Sequence, residues 1–311
     1  MMGLVNLRTV LVKAREQGYA VGAFNFVNME MLQGILDAAV EAHAPVIIQT
    51  TEGAIEYAGI GYLAALARTA AENAGIDVVL HLDHGKHLET VMHAIRHGYT
   101  SVMMDASDRP FEENLSITKQ VVHIAHMVNV SVEAELGRLK GIEDTLKVGD
   151  AQASLVDPAQ AQAFVRETGV DAFAPAIGTS HGAFKFKGIP RLDMERLERV
   201  ALLTGIPLVL HGASSVPADV VSKANAYGAA IKGTAGVPDD IMKQAIKKGI
   251  CKVNTDTDLR LSFTAGIREE LTKHPEAFDL RNILGPARQA VKAMVLNRIE
   301  VFGSAGKSSA S

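Results

Sequence analysis

The feature that most constrains the fold is a regular alternation between short apolar runs and longer amphipathic stretches. The stretches show helical periodicity, for example at 29–42, 110–128 and 158–168. Strands that alternate with helices form parallel sheets, and eight such units close into a (β/α)₈ barrel, the TIM barrel of the α/β class. The eight apolar, β-branched runs that we interpret as strands are 21–26, 46–51, 78–84, 101–107, 130–137, 172–178, 207–214 and 251–255.

The length of the chain is compatible with one domain. Its 311 residues, of which 48% are hydrophobic, can bury one large core, and no linker-like segment divides them. We predict a single domain over residues 1–303 with a C-terminal helical extension, followed by a flexible tail at 304–311. Long loops are predicted after the fifth and sixth strands, at 138–156 and 179–190, where lids commonly lie.

The composition argues against several classes of protein. A formal net charge of −4 provides no basic field for nucleic acid. The apolar runs are too short to cross a membrane, and the N-terminal residues lack the pattern of a signal peptide. The single cysteine, Cys251, cannot form an internal disulfide and is expected to fill the core. We therefore expect a cytoplasmic protein that binds neither nucleic acid nor membranes.

Polar residues concentrate at the C-terminal ends of the predicted strands. Nearly every predicted strand is apolar until its last one or two residues and then ends in groups able to do chemistry. In a barrel these ends converge on one face, so the groups are expected to share one pocket. They are Asn25, Thr50, Thr51, Asp83, His84, Asp105, Glu135, His181, His211, Asn254 and Asp256.

Three of the 11 histidines, His84, His181 and His211, lie at or just beyond these strand ends. Three imidazoles with one open coordination position are typical of a catalytic zinc site. One such histidine alone is more often a hydrogen-bonded structural residue, but three at converging ends favour metal binding. His81, inside the third strand, is a candidate for supporting one of the ligands.

Three carboxylates accompany the histidines. Asp83 can carry a proton to or from a substrate hydroxyl beside a metal, or it can cap the following helix. Since Asp83 and His84 are neighbours on a strand, both reach one pocket only where the strand gives way, and Gly85 provides that freedom. Asp105 and Glu135 are candidates for orienting a ligand, for contacting a metal in an alternative or second position, or for purely structural hydrogen bonds.

Glycines and small polar residues follow the last three strands, where barrels of this architecture commonly bind phosphate. Ordinary turn and capping roles are the alternative. The candidates are Gly182, Lys185, Gly212, Ser214, Asn254, Asp256 and Thr257.

Short motifs also run along the chain in a fixed order. They are V-G-A-F-N (21–25), H-L-D-H-G (81–85), S-V-M-M-D-A-S (101–107), V-E-A-E-L-G (132–137), A-I-G-T-S-H-G (176–182), L-H-G-A-S (210–214) and K-V-N-T-D-T-D-L-R (252–260). In sequence, order and spacing, from about residue 4 to residue 303, the chain resembles the class II fructose-bisphosphate aldolases. The resemblance implies reversible cleavage of fructose 1,6-bisphosphate through a zinc-stabilised enediolate of dihydroxyacetone phosphate.

The resemblance also implies roles for individual residues. One Zn²⁺ per subunit would be held by His84, His181 and His211, with Glu135 as a ligand in an alternative position. Asp83 would handle the hydroxyl proton, and Glu143, in the long loop after the fifth strand, would exchange the proton on dihydroxyacetone phosphate. The implied substrate-binding residues are Asn25, Thr51, Gly182, Lys185, Gly212, Ser214, Asn254, Asp256, Thr257 and Arg260, the last reaching the site of a neighbouring subunit.

Further expectations follow from the same resemblance. We expect a homo-oligomer, a dimer or a tetramer, and a monovalent cation, Na⁺ or K⁺, is a second candidate cofactor. The tagatose-bisphosphate aldolases are the nearest alternative, but they commonly carry V-A-T-E-L-K where this chain has T-D-T-D-L-R, so Asp256 and Arg260 favour fructose bisphosphate. Thr51 departs from the serine that is usual in fructose-bisphosphate relatives.

Two rival hypotheses remain, one a different enzyme mechanism and the other a different class of function. A Schiff-base aldolase could use Lys252, which strand alternation places on the same face as Asn254. A catalytically silent barrel could bind sugar phosphates or serve as a surface adhesin. The presence of both Asp83 and Glu143 argues against the silent barrel, because binding alone requires neither.

Overall fold

A computed structural model describes residues 3–137, 154–179, 192–232 and 236–309 in full, and 140–143, 146–148 and 180–181 by their backbone. Eight parallel strands close into a barrel, which confirms the predicted fold. In barrel order the strands are β1 (Val21–Asn25), β2 (Val46–Thr50), β3 (Val78–Gly85), β4 (Ser101–Met104), β5 (Ser131–Leu136), β8 (Ala172–Pro175), β10 (Leu208–Leu210) and β11 (Ile250–Thr255).

Helices surround this barrel, and many begin where the sequence provides a capping side chain. In α7, for example, Asp157 accepts hydrogen bonds from the backbone N–H groups of Ala159 and Gln160, and Pro158 occupies the first turn. The described helices are α1 (Leu7–Gln17), α2 (Met29–Glu41), α3 (Glu52–Ala58), α4 (Ile60–Glu72), α5 (Leu88–Arg96), α6 (Phe111–Met127), α7 (Pro158–Thr168), α8 (Met194–Thr204), α9 (Ala218–Ala226), α10 (Asp239–Lys247), α11 (Thr257–Lys273) and α12 (Leu280–Phe302).

Several strands end earlier than their apolar runs predicted. The fourth ends at Met104 because Asp105 accepts a hydrogen bond from the backbone of Ser107 and turns the chain. The sixth barrel strand ends at Pro175, which has no N–H to continue the ladder. These earlier ends leave the polar residues on loops around the C-terminal edge of the barrel, which we call the rim.

The barrel interior changes from apolar to polar along its axis. At the N-terminal end, α1 closes the barrel with Leu7, Val10, Leu11 and Ala14, which pack against residues such as Val21, Ile47, Val79 and Val209. The larger apolar core lies outside, between the strands and the surrounding helices. Cys251 is buried as expected, and burial raises the pKa of its thiol to about 11.

A small three-stranded sheet lies beside the barrel, in the loops that follow β5 and β8. The long loop predicted after β5 contains two short strands, β6 (Lys140–Glu143) and β7 (Leu146–Val148), which pair antiparallel, and β6 also pairs with β9 (Ser180–His181). The sequence predicted the long loops but not this small sheet within them, because strands of two to four residues leave too short a pattern to recognise.

The C-terminal helical extension is present as α12. It approaches α2 and α11 closely where Gly34 and Gly266 lack side chains, since a Cβ at either position would lie 2.8 Å from its backbone. The segment after it bonds to the N-terminal end of the barrel, because Gly306 N donates to Ala42 O and Ser309 N donates to Asp77 Oδ2. The flexibility predicted for 304–311 stays a prediction. Among the described residues, no helix has both the length and the apolar character needed to cross a membrane.

Candidate active site at the barrel rim

Asp83 and His84 share one pocket because strand β3 is irregular at its end. The pairing of β3 with β4 shifts register between Leu82 and Gly85, and His84 adopts a left-handed φ of 47°. This backbone conformation costs on the order of 1 kcal/mol or more in a residue other than glycine, and such strain clusters at functional sites. Gly85 contributes by close packing, since a Cβ there would lie 2.7 Å from Met103 O. The conformational freedom assigned to Gly85 is therefore used by His84 instead.

The Asp83 carboxylate is held by three amide side chains from neighbouring strands. Asn254 Nδ2 donates to Asp83 Oδ1 at 2.8 Å, while Gln49 Nε2 and Asn25 Nδ2 donate to Oδ2 at 3.0 and 3.3 Å. Gln49 Nε2 also donates to Asn25 Oδ1. All four residues are buried. The amides fix the direction of the carboxylate, which an N-cap role does not require.

Two amide oxygens in this cage have no hydrogen-bond donor among the described residues. They are Gln49 Oε1 and Asn254 Oδ1. A buried acceptor without a donor costs free energy, and ligand hydroxyl groups are suitable donors. The cage is therefore suited to a polyhydroxylated ligand beside Asp83.

The imidazoles of His84 and His211 lie against each other at the rim. Their ring centroids are 4.5 Å apart, and the rings are inclined by 57°. His84 Nδ1 lies 2.8 Å from Asp105 Oδ2, and Asp105 in turn accepts hydrogen bonds from Ser107. A carboxylate on one ring nitrogen fixes the orientation and tautomer of an imidazole, so Asp105 orients His84.

His211 lies between two glutamates of strand β5. Its Nδ1 is 2.8 Å from Glu135 Oε2, and its Nε2 is 2.8 Å from Glu133 Oε1. Burial and the neighbouring His84 lower the pKa of His211, but the two carboxylates outweigh them and raise it to about 9. Burial also raises the pKa of Glu135.

The ligand atoms of these residues form two candidate metal groups. In one, atoms of Asp83, His84 and His211 lie within 4.8 Å of one another, and in the other the same holds for His84, Asp105 and Glu135. All members are buried. Imidazole nitrogens and carboxylate oxygens are the donors that divalent transition metals and zinc accept. The residues present therefore fit a metal ion.

The third predicted histidine lies only in part within the described chain. The backbone of His181 forms β9 and pairs with Gly141 of β6, but its side chain lies outside the described residues. The same is true of the Glu143 side chain, although the backbone of Glu143 ends β6. Gly182 and Lys185 also lie outside the described residues.

The loop after β10 and the start of α11 lie together, as the predicted phosphate corner requires. Gly212 has a φ of 58°, and Asp256 N donates to Ser214 Oγ at 3.4 Å. Thr257 begins α11, whose N-terminus presents the positive end of a helix dipole. Arg260, one turn further, donates through Nε to Asp256 Oδ1 of the same chain at 2.8 Å.

Three residues near these groups were not among the predicted site residues. Gln49 belongs to the Asp83 cage, and Glu133 contacts both His211 and Lys252. Asp258 is fully buried and accepts hydrogen bonds from the backbone N–H groups of Ser215 and Val216, which fixes the loop after β10. Thr51, by contrast, was predicted to bind substrate, and here its hydroxyl accepts a hydrogen bond from Ala54 N as the cap of α3.

Lys252, the residue of the Schiff-base hypothesis, is fully buried inside the barrel. Its Nζ donates to Glu133 Oε2 at 2.8 Å and lies 3.4 Å from His81 Nε2. Burial, and then the charge of Lys252, lowers the pKa of His81 to about 3, so this ring is neutral. An amine held in an ion pair lacks the free lone pair that a Schiff base requires, so the geometry favours the metal hypothesis.

The fold and the buried imidazoles and carboxylates at its rim define the class of protein, a closed barrel with residues that fit a metal ion. Comparison with known proteins gives its family. The model of the class-II fructose-bisphosphate aldolase family matches residues 5–307. Fructose-bisphosphate aldolases of Helicobacter pylori and Thermus caldophilus are 52% and 51% identical to the chain, each match covering 98% of the chain and 99% of the relative.

Solved structures agree. The YdjI aldolase of Escherichia coli superposes with a TM-score of 0.81 at 34% identity, covering 98% of this chain and 99% of that one. A putative fructose-1,6-bisphosphate aldolase of Coccidioides immitis gives 0.82 at 28% identity, covering 97% of each. The chain belongs to the class II fructose-bisphosphate aldolase family.

Proposed function

We propose that the chain catalyses the reversible cleavage of D-fructose 1,6-bisphosphate into dihydroxyacetone phosphate and D-glyceraldehyde 3-phosphate, with zinc as its cofactor. The observation that carries this proposal is that ligand atoms of Asp83, His84 and His211 lie within 4.8 Å of one another in a buried cluster at the rim. The proposal is supported by membership of the class II family and by relatives, 52% and 51% identical to the chain, that are named fructose-bisphosphate aldolase.

The proposed metal ligands are His84, His211 and His181, with Glu135 as a ligand in an alternative position. The donor set of imidazole and carboxylate is the one that catalytic zinc sites use. When bound, the ion supplies an electron sink for the charge that carbon–carbon cleavage leaves behind. The proposed role of Asp105 is to orient His84, because Asp105 Oδ2 lies 2.8 Å from His84 Nδ1. Its alternative role is contact with a second ion.

Asp83 and Glu143 are proposed to move the protons. Asp83 takes the proton of the C4 hydroxyl, the C3–C4 bond breaks, and its electron pair remains on the dihydroxyacetone phosphate half as an enediolate. Glu143 then returns a proton to C3, which completes that product. The three amides around Asp83 keep its carboxylate aimed at the pocket, so little reorganisation accompanies the proton transfer.

The substrate would lie between the amide cage and the N-terminus of α11. We assign its dihydroxyacetone phosphate end to Gly182, Lys185, Gly212, Ser214, Asn254, Asp256 and Thr257, and its hydroxyl groups to Asn25 and Thr51. A helix N-terminus stabilises phosphate through backbone N–H groups and its dipole. Arg260 is assigned to the second phosphate in the site of a neighbouring subunit. This assignment requires a homo-oligomer, which we propose to be a dimer or a tetramer. The proposed location of the protein is the cytoplasm. Na⁺ or K⁺ is a further candidate cofactor.

The proposal is tested by offering one preparation both fructose and tagatose 1,6-bisphosphates, with and without a chelator. We expect cleavage of fructose bisphosphate, loss of that activity in EDTA, and recovery on adding zinc. Faster cleavage of the tagatose sugar would move the assignment to the alternative substrate. Activity that survives the chelator, together with inactivation by borohydride in the presence of substrate, would overturn the metal mechanism in favour of Lys252.

A further inference from the structure

Beneath the rim, four polar residues form a continuous row across the barrel interior, which we call the interior chain: Ser101, His81, Lys252 and Glu133. His81 Nδ1 lies 2.8 Å from Ser101 Oγ, and His81 Nε2 lies 3.4 Å from Lys252 Nζ. Lys252 Nζ donates to Glu133 Oε2 at 2.8 Å. All four side chains are fully buried.

The interior chain is costly for the fold. Removing an ammonium and a carboxylate from water costs several kcal/mol per ion, and their attraction often does not offset this cost. Apolar residues such as Ile47, Val79 and Val209 fill the interior closer to the N-terminal end. The barrel therefore gains no packing from Lys252 and Glu133 that apolar side chains could not provide. The reason for burying the ion pair of Lys252 and Glu133 is indicated by the residue that Glu133 contacts next.

The last residue of the interior chain, Glu133, contacts His211, a proposed metal ligand. Glu133 uses one carboxylate oxygen for each partner: Oε2 accepts from Lys252 Nζ, and Oε1 lies 2.8 Å from His211 Nε2. Two opposed contacts fix the rotation of the carboxylate, so the position of Lys252 determines how Glu133 meets the imidazole.

The geometry also distinguishes the two ring nitrogens of His211. Nδ1 faces Glu135, which belongs to a candidate metal group with His84, while Nε2 faces Glu133, which belongs to neither group among the described residues. A carboxylate at Nε2 keeps a proton on that nitrogen, which leaves the Nδ1 lone pair for an ion.

We propose that Lys252 is a positioning residue of the metal centre, acting through Glu133 on the orientation of His211. The inference rests on the proposed metal site and assigns to it a residue that touches neither ion nor substrate. Without the ammonium, Glu133 loses the contact that fixes its rotation, and His211 is no longer held in the orientation that binds the ion.

The test is Lys252→Met, which keeps most of the side-chain volume and removes the charge. Zinc affinity of the apoprotein is measured by competition with a chromophoric chelator, and the Co²⁺-loaded protein is examined by visible absorption. We expect zinc affinity to fall by about 10- to 100-fold, the usual effect of removing the partners behind a metal ligand, and the Co²⁺ bands to change. The matched control is Lys248→Met, since Lys248 is a surface lysine paired with Glu198 just before the same strand, and it should leave both readouts unchanged.

A second variant separates positioning from folding. Lys252→Met alone leaves Glu133 without its buried counter-charge, whereas Lys252→Met combined with Glu133→Gln removes both charges, so its melting temperature should recover. If Lys252 positions the metal centre, zinc affinity of the double variant stays low, because a neutral amide does not fix the tautomer of His211. If zinc affinity recovers together with the melting temperature, or if folded Lys252→Met binds zinc like the wild type, the proposal is overturned.

The double variant carries the test alone if Lys252→Met does not fold. The wild-type protein, measured in the same titration, distinguishes this inference from the proposed function. Wild-type protein that binds no zinc contradicts the proposed metal site, whereas wild-type protein that binds zinc with the same affinity as the variants contradicts only the role of Lys252.

Discussion

Replacing Asp83 by alanine should separate proton transfer from metal binding. The substitution leaves in place both imidazoles of the rim and the carboxylates that orient them, Asp105 and Glu135. Asp83 Oδ1 is 4.0 Å from His84 Nε2, close enough to receive a proton from a hydroxyl beside the ion. We therefore expect the variant to bind the metal and to lose cleavage.

The magnitude follows from the role. A positioned general base contributes about 10²- to 10⁴-fold to a rate, which corresponds to about 2.7–5.4 kcal/mol of activation free energy. The fold should also lose stability, because the three amides around Asp83 lose their acceptor and each one that water does not reach costs about 1–3 kcal/mol. Turnover must therefore be normalised to folded, metal-loaded protein.

The assay couples triose phosphate formation to NADH oxidation, with metal content measured by mass spectrometry after dialysis. The control is Asp77→Ala, which removes a buried aspartate at the opposite end of the barrel, where it bonds the C-terminal segment. That control should melt earlier and keep its turnover. A metal-loaded Asp83→Ala protein that cleaves at the wild-type rate would refute the assignment, and a folded variant that has lost its metal would make Asp83 a ligand.

Three further substitutions test other parts of the site. Gln49→Leu removes one donor to Asp83 and should lower kcat by about tenfold, as expected for a hydrogen bond to a charged group worth about 1.5 kcal/mol, with circular dichroism unchanged. Asp258→Asn places an amide group where one of two backbone N–H groups needs an acceptor, so we expect unfolding free energy to fall by about 1–3 kcal/mol and KM for the sugar bisphosphate to rise. Gly85→Ala brings a Cβ to 2.7 Å from Met103 O and should lower the unfolding free energy by about 1–3 kcal/mol in urea titrations, whereas an unchanged midpoint would show that the strand end can move.

The barrel and the centre of its site could be predicted because both depend on local patterns. Alternating apolar runs define the strands, and the carboxyl ends of parallel strands meet on one face. Asp83, His84 and His211 come together for that reason, although 127 positions separate the two histidines along the chain. The bounds of the strands were less predictable, because side-chain bonds such as that from Ser107 N to Asp105 end a strand before its apolar run ends.

Glu133 was missed because strand interiors were interpreted as apolar. Glu133 and Lys252 each lie two positions before a strand-end residue of the pocket, Glu135 and Asn254 respectively, and therefore face the same side of their strands. A charged residue at that spacing is the signal that placed Lys252 on the face of Asn254, and it could have found Glu133 as well. Hydropathy alone does not detect it, because one charge hardly changes the mean of a short apolar run.

The two apolar regions of the barrel explain how it accommodates charge in its interior. The larger core lies between strands and helices, and a second cluster under α1 closes the N-terminal end, so neither depends on the side chains around Lys252. Burying Lys252 and Glu133 lowers the stability of the fold, and the apolar core outside the barrel offsets this loss. Because the buried pair costs stability wherever it lies, its position directly behind His211 is better explained by metal binding than by folding.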